Sequence, residues 1–226
     1  MLLIPTNLPN GISFARLVAS PIFVFLFWMG LRGSGYGSSP EELVRDLNVG
    51  YLMAAWVLMF LQEASDLVDG WIARRQGIVT DLGKLVDPLA DALSHVGALL
   101  CLMWVGLIPF WVLVVVYYRE AVVGTLRVLA AKEGFVVQAR PTGKVKSLTL
   151  AVAANTIVGW LVVSHWVEAL RPFVGPVALG LGVLVSLGSL VSLVDYYRAV
   201  NRLVQRGGES SPDRGPRPPP QGNRPS

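Results

Sequence analysis

Apolar residues run in long blocks along this chain, at about Gly11 to Leu31, Val49 to Phe60, Leu93 to Leu107, Phe110 to Val123, Leu148 to Trp166 and Val174 to Val194. About 20 residues cross the hydrocarbon core of a bilayer, so the pattern predicts six transmembrane helices. The second and third blocks are short. They reach spanning length only if Gln62 to Arg74 and Lys84 to Ala92 continue the same helices, which carries a group of aspartates into the fold. The predicted fold class is an all-α integral membrane protein of six transmembrane helices with a short N-terminal interfacial segment. Met1 to Pro9, which mixes apolar residues with Pro5, Asn7 and Pro9, is expected to lie at the interface, with Asn10 and Gly11 leading into the first helix.

Composition agrees with that pattern. Mean hydropathy is +0.55 over 226 residues and only 15% are charged, which places the chain among membrane proteins. The N-terminus lacks the basic flank of a signal peptide, so the first block is expected to stay as a helix. Cys101 has no second cysteine to pair with, which excludes a disulfide framework and a thiolate metal site.

Charge then orients the chain. Arg74, Arg75 and Lys84, then Lys132, Arg140, Lys144 and Lys146, then Arg198, Arg202 and Arg206 fall on one side. By the positive-inside rule that side is cytoplasmic, with both chain ends. The opposite side takes the Gly/Ser-rich loop Arg32 to Asn48, the turn Gly106 to Pro109 and the loop near Glu168 to Pro176. Residues 1–206 are expected to form the membrane domain and 207–226 a disordered Pro/Arg-rich cytoplasmic tail whose arginines could rest on anionic lipid. The expected partners are membrane lipids and no nucleic acid.

The stretch DLVDGWIARRQGIVTDLGKLVDPLAD holds five aspartates. Asp66 and Asp69 are three apart and Asp87 and Asp91 four apart, so each pair shares a helical face. Carboxylates repel one another at this density and are expensive near lipid, so a bound cation is the natural explanation. Oxygen ligands without clustered Cys or His point to Mg2+ or Mn2+. Asp81 reads instead as a helix N-cap in the loop near Thr80. Gly70 and Ala73 leave room for a ligand against the helix, and Arg74 offers a planar cation for phosphate. Taken singly, Ala73 is better explained by tight helix packing.

Asp66, Asp69, Gly70, Ala73, Arg74, Gly83, Asp87 and Asp91 together match D-x2-D-G-x2-A-R-x8-G-x3-D-x3-D, and on these residues the chain resembles the CDP-alcohol phosphatidyltransferases. The resemblance implies six transmembrane helices, a site at the cytoplasmic membrane surface, and transfer of a phosphatidyl or similar group from a CDP-linked donor to an alcohol with release of CMP. It further implies two metal ions, Mg2+ or Mn2+, among Asp66, Asp69, Asp87 and Asp91, with Asp91 as general base. Gly70, Ala73, Arg74 and Gly83 would line the CDP-donor pocket. A homodimer is common in the family and is expected on that ground alone.

Beyond the signature, Arg119, Glu120, Arg127, Lys144 and Lys146 are ionisable groups near the fourth and fifth helices. Several cations beside a metal site suit an acceptor that carries its own phosphate, whereas Lys132 and Arg140 read as positive-inside residues at helix ends. The segments "NLPNGISFARLVASPIF", "YYREAVVGTLR" and "GKVKS" resemble one branch of the family, the phosphatidylglycerophosphate synthases. That likeness implies a cell-membrane enzyme using CDP-diacylglycerol and sn-glycerol 3-phosphate, with Arg119, Arg127, Lys144 and Lys146 as candidate ligands of the acceptor phosphate. The chain departs from the branch after Asp91, where Ala92, Leu93, Ser94 and His95 follow in place of the usual lysine, and in the length of the Arg32 to Asn48 loop. His95, one turn past Asp91, either tunes that aspartate or is a packed polar residue. Inositol phosphate is the alternative acceptor. A divalent-cation transporter is the alternative class, but its polar residues should continue across the bilayer, and here they stop on one side.

Overall fold

The structure is a computed structural model that describes residues 8–32, 39–76, 81–132 and 141–209. Every regular element among them is helical: α1 (Leu8–Gly30), α2 (Pro40–Arg45), α3 (Val49–Gln76), α4 (Asp81–Trp104), α5 (Phe110–Lys132), α6 (Pro141–Trp166), a 3-10 turn at Glu168–Phe173, and α7 (Val174–Glu209). The helices group in two sets. In the first, α1 packs against both α3 and α4; in the second, α7 packs against both α5 and α6. The sets meet where α3 touches α6 and α4 touches α5 and α6.

Both short apolar blocks continue as the aspartates required. Helix α3 runs 28 residues through Asp66 and Asp69, and α4 carries Asp87 just before its apolar part and Asp91 at the start of it. Ala64, Ala73, Arg74, Arg75 and Gln76 are good helix formers, and Gly70 alone in that stretch does not outweigh them. Two stretches, Pro141–Trp166 and Glu168–Arg202, are long and apolar enough to cross a membrane; the apolar parts Phe14–Gly30, Val49–Ser65 and Leu89–Trp104 are shorter. Charge explains the difference, because α3 and α4 give their remaining turns to the aspartates and the apolar run of the continuous helix α5 is interrupted by Arg119 and Glu120.

Several boundaries differ from expectation. Helix α1 begins at Leu8, so Pro9, Asn10 and Gly11 are helical and not part of an interfacial segment ending at Pro9. A proline in the first turn removes no hydrogen bond, since those amides have no helical partner. Asp81 is the first helical residue of α4, not a cap in the preceding loop. Helix α7 continues to Glu209, three residues into the segment expected as tail. Residues 1–7 and 210–226 lie outside the described residues.

The Arg32 to Asn48 loop holds an unexpected element, α2. Ser39 caps it by a reciprocal box, its Oγ accepting from the Glu42 amide at 3.3 Å while Glu42 Oε2 accepts from the Ser39 amide at 2.9 Å. Pro40 follows at the first helical position, where its fixed φ helps. Leu43, Val44 and Leu47 bury the inner face of this segment against the end of the bundle. Nearby, Arg171 Nε donates to the Ser164 carbonyl and Nη2 to the His165 carbonyl, both at 3.1 Å, and Trp160 Nε1 donates to the Leu170 carbonyl at 3.2 Å. We call this the loop end and its opposite the aspartate end.

Between the ends the core is apolar, with Phe27, Leu52, Leu102, Leu150 and Leu161 fully buried. Two glycines set helix approach. A Cβ on Gly159 would lie 2.8 Å from the Trp56 ring, and one on Gly30 would lie 3.0 Å from the Leu52 amide nitrogen, so only glycine permits the α3–α6 and α1–α3 distances seen.

Candidate functional site

The aspartate end of the first helix set is built around α1. Arg16 is buried there, 5% exposed, and its Nη2 donates to Asp91 Oδ1 on α4. One turn on, the Ser20 and Ser94 hydroxyls meet at 2.7 Å, so α1 grips α4 at two levels. His95 does not pair with Asp91. Its Nε2 lies 3.3 Å from Oε1 of Glu63 on α3, joining the two aspartate-bearing helices directly.

The side chains of Asp66, Asp69, Gly70, Ala73, Arg74, Gly83 and Asp87 lie outside the described residues, and among the described residues no three His, Cys, Asp or Glu gather as a metal cluster. The backbone still places these positions. Helices α3 and α4 follow one another along the chain and are joined by the Glu63–His95 pair. Counted along the helices from that pair at 1.5 Å per residue, Asp66 lies about 4.5 Å and Asp91 about 6 Å away, and Asp69 about 9 Å and Asp87 about 12 Å. Carboxylates are oxygen donors of the kind that suits Mg2+ or Mn2+.

The second helix set supplies cations. Arg119 is buried on α5, its Nη1 donating at 3.1 Å to both oxygens of Glu120 and its Nη2 at 2.7 Å to Ser192 Oγ on α7. Lys146 of α6, 3% exposed, donates to Glu120 Oε1 from the other side. Two buried cations thus share one carboxylate, and Arg119 Nε has no hydrogen-bond partner among the described residues. Lys146 lies within Coulombic reach of Asp91 and Glu120 within reach of His95, which makes this cluster the neighbour of the aspartate helices. Gly143 leaves the room it needs, since a Cβ there would stand 3.3 Å from Arg119 Nη2.

The four candidate phosphate ligands therefore separate. Arg119 and Lys146 come together. Arg127 is exposed and engaged elsewhere, its Nε donating to Tyr196 Oη at 3.2 Å and its guanidinium 5.5 Å from that ring centroid. Lys144 is exposed and, two positions from Lys146, lies about 200° around α6. Thr142, at the start of the same helix, donates to Asp195 Oδ2 at 2.7 Å and ties α6 to α7.

Sequence reasoning missed Arg16, Glu63 and Ser192. For Arg16 a signal was present, because an arginine inside a membrane-length apolar block is functional by default. Glu63 stood just inside the polar continuation of the second block and passed as part of it. Ser192 had no signal, being one small hydroxyl in an apolar run.

Comparison with known proteins shows the family. The sequence profile described as CDP-alcohol phosphatidyltransferase matches residues 6–186. The CDP-diacylglycerol--glycerol-3-phosphate 3-phosphatidyltransferase of Bacillus subtilis (strain 168) is 36% identical over 152 residues, 67% of this chain and 76% of that protein. The protein of the same name from Treponema pallidum (strain Nichols) is 33% identical over 173 residues, 70% of this chain and 78% of that protein. The cardiolipin synthase (CMP-forming) of Streptomyces coelicolor is 28% identical over 183 residues, 78% of this chain and 75% of that protein. The matched residues run from the start of α1 into α7 and so take in both helix sets, the carboxylates and the cations alike: the chain belongs to the CDP-alcohol phosphatidyltransferase family.

Proposed function

We propose that the protein transfers the phosphatidyl group of CDP-diacylglycerol to a hydroxyl of sn-glycerol 3-phosphate, releasing CMP. The observation that carries the choice of acceptor is the Arg119–Glu120–Lys146 cluster: two buried cations against one carboxylate, with Arg119 Nε still free to donate. Buried charge in that excess is stable only beside an anion, and an acceptor phosphate provides one. The names of the Bacillus and Treponema relatives state the same donor and acceptor.

Asp66, Asp69, Asp87 and Asp91 would hold Mg2+ or Mn2+, with Gly70, Ala73, Arg74 and Gly83 around the CDP moiety. The bound metal would supply charge neutralisation on the donor pyrophosphate. Asp91 accepts the proton of the attacking hydroxyl through its carboxylate, which Arg16 orients by holding Oδ1. A new bond forms from the acceptor oxygen to the lipid-bearing phosphorus as the phosphorus–oxygen bond to CMP breaks, and CMP leaves with the electron pair. Arg119 and Lys146 fix the acceptor by its phosphate, so that the hydroxyl meets Asp91 in one orientation.

We read α1, α3, α4, α5, α6 and α7 as six membrane crossings with the aspartate end cytoplasmic. Exposed Phe25, Phe60, Val191 and Leu187 on the outer faces support lipid contact, and the basic residues at one end support the orientation.

The test is CMP release from CDP-diacylglycerol by the purified chain with Mg2+ or Mn2+, with glycerol 3-phosphate, inositol phosphate or phosphatidylglycerol as acceptor. Turnover only with glycerol 3-phosphate supports the reading. Turnover with phosphatidylglycerol alone would move the chain to the chemistry named for its Streptomyces relative, and turnover with inositol phosphate alone would remove the acceptor assignment.

A further inference from the structure

Arg119 and Lys146, the cations assigned above to the acceptor phosphate, already hold an anion. Arg119 Nη1 donates at 3.1 Å to both oxygens of Glu120, and Lys146 Nζ donates to Glu120 Oε1. A carboxylate set between two cations offers them what a phosphate would offer, negative charge and paired oxygens. Glu120 is also the open member of the cluster. Its side chain is 30% exposed against 6% for Arg119 and 2% for Lys146, so the buried cations are approached past the carboxylate.

The two cations are placed by contacts that do not involve Glu120. Arg119 Nη2 donates to Ser192 Oγ on α7, and Thr142 ties the start of α6 to Asp195 on α7. Helices α5 and α6 each pack along α7, so both cations keep their places when the carboxylate swings away. Arg119 Nη1 and Lys146 Nζ then become available together with Arg119 Nε, which has no partner among the described residues. His95 lies within Coulombic reach of the departing carboxylate.

Charge decides what can displace it. One carboxylate against two cations leaves one positive charge in excess. A phosphate monoester, at about −1.5 to −2 near neutral pH, cancels that excess and brings a third oxygen. A phosphate diester carries a single negative charge, as Glu120 does, and gains no Coulombic energy by the exchange. The carboxylate is also tethered, so it competes at a high effective concentration.

We propose that Glu120 occupies the acceptor-phosphate seat as a tethered competitor, setting a threshold that a doubly charged phosphate monoester passes and a singly charged diester does not. The inference rests on the acceptor-site reading above. Binding of any anion is weakened by the share of molecules in which Glu120 holds the cations. The monoester sn-glycerol 3-phosphate displaces it, and the diester phosphatidylglycerol fails to. Glu120 is thus a specificity-determining residue and takes no part in forming or breaking a bond.

The test titrates the full chain in detergent, without donor or metal, with methyl phosphate and with dimethyl phosphate, binding being read by calorimetry. The parent is expected to bind the monoester and to bind the diester weakly or not at all. Glu120→Gln, which keeps the shape and removes the charge, is expected to bind each about tenfold more tightly or better. Lys146→Met is expected to weaken methyl phosphate binding by about tenfold or more. Unchanged or weaker binding in Glu120→Gln, with Lys146→Met still weakened, overturns the competitor and leaves the acceptor site standing. Equal methyl phosphate binding in the parent and in Lys146→Met overturns the acceptor-site reading and the competitor with it. If Glu120→Gln does not fold, Glu120→Asp, which keeps the charge and withdraws it by one methylene, decides by sign: methyl phosphate binding tighter than the parent's upholds the competitor, and equal or weaker binding overturns it.

Discussion

The two ends of the bundle use polar side chains in opposite ways. At the aspartate end side chains bond to side chains across helices: Arg16 to Asp91, Glu63 to His95, Lys146 to Glu120, Arg119 to Ser192, Thr142 to Asp195. At the loop end they bond mainly to main chain, Arg171 to the Ser164 and His165 carbonyls, Trp160 to the Leu170 carbonyl and Ser39 to the Glu42 amide, with the exposed Arg171–Glu168 pair as an exception. Main-chain partners close a fold by satisfying helix ends. Charged side-chain pairs buried in an apolar bundle cost desolvation that stability alone does not repay, so their concentration at one end marks where the chemistry is.

If that division holds, substitutions at the aspartate end should change turnover and those at the loop end should change only stability. The largest effect is expected from Asp91→Asn, which should lower CMP release by on the order of a thousandfold while the chain keeps its unfolding temperature. Near-parent turnover would take Asp91 out of the base role. Next comes Lys146→Met, which keeps the apolar stem and leaves Glu120 to Arg119. It should lower kcat/KM for glycerol 3-phosphate about a hundredfold, roughly 2.8 kcal/mol, mostly in KM. Lys144→Met, on the exposed side of α6, should change it less than about threefold, and equal effects from the two lysines would erase the distinction between them.

At the loop end, Arg171→Met removes donors to two carbonyls and should lower stability by about 1–2 kcal/mol, with turnover per folded molecule unchanged. A loss of turnover matching that of Lys146→Met would break the contrast between the ends. The smallest effect concerns Glu42, whose carboxyl is held below its ordinary value of 4.5 by the Ser39 amide first and then the Ser39 hydroxyl, which outweigh desolvation, with Arg45 adding the least. A carboxyl lowered on folding contributes stability above 4.5 that is lost as pH falls through its lower folded value. Amide exchange in α2 should therefore quicken on acidification through that range in the parent and show no such step in Glu42→Gln.

Much of this was legible in the sequence because charge in an apolar chain is conspicuous. The aspartate spacing announced that α3 and α4 must extend past their apolar blocks. Helix α2 was legible too, since Ser39, Pro40 and Glu42 spell a capping box, but a Gly/Ser-rich setting hid it. Lys144 and Lys146 show where sequence falls short. Both are lysines in one basic segment, and only the direction in which α6 packs decides that one is buried against Glu120 and the other exposed. His95 is similar: its spacing pointed to Asp91 on its own helix, whereas packing turned it to Glu63 on another.

Because α1 packs against both α3 and α4, the carboxylate half of the protein is a continuous early segment of the chain, complete at Trp104, and the cationic half is made entirely of α5, α6 and α7. Synthesis from the N-terminus therefore delivers the acids first. A nascent chain stopped after α4 already holds Asp91 with its Arg16 partner but has neither Arg119 nor Lys146, so the order of translation separates assembly of the aspartate-bearing half from the arrival of the Arg119–Glu120–Lys146 cluster.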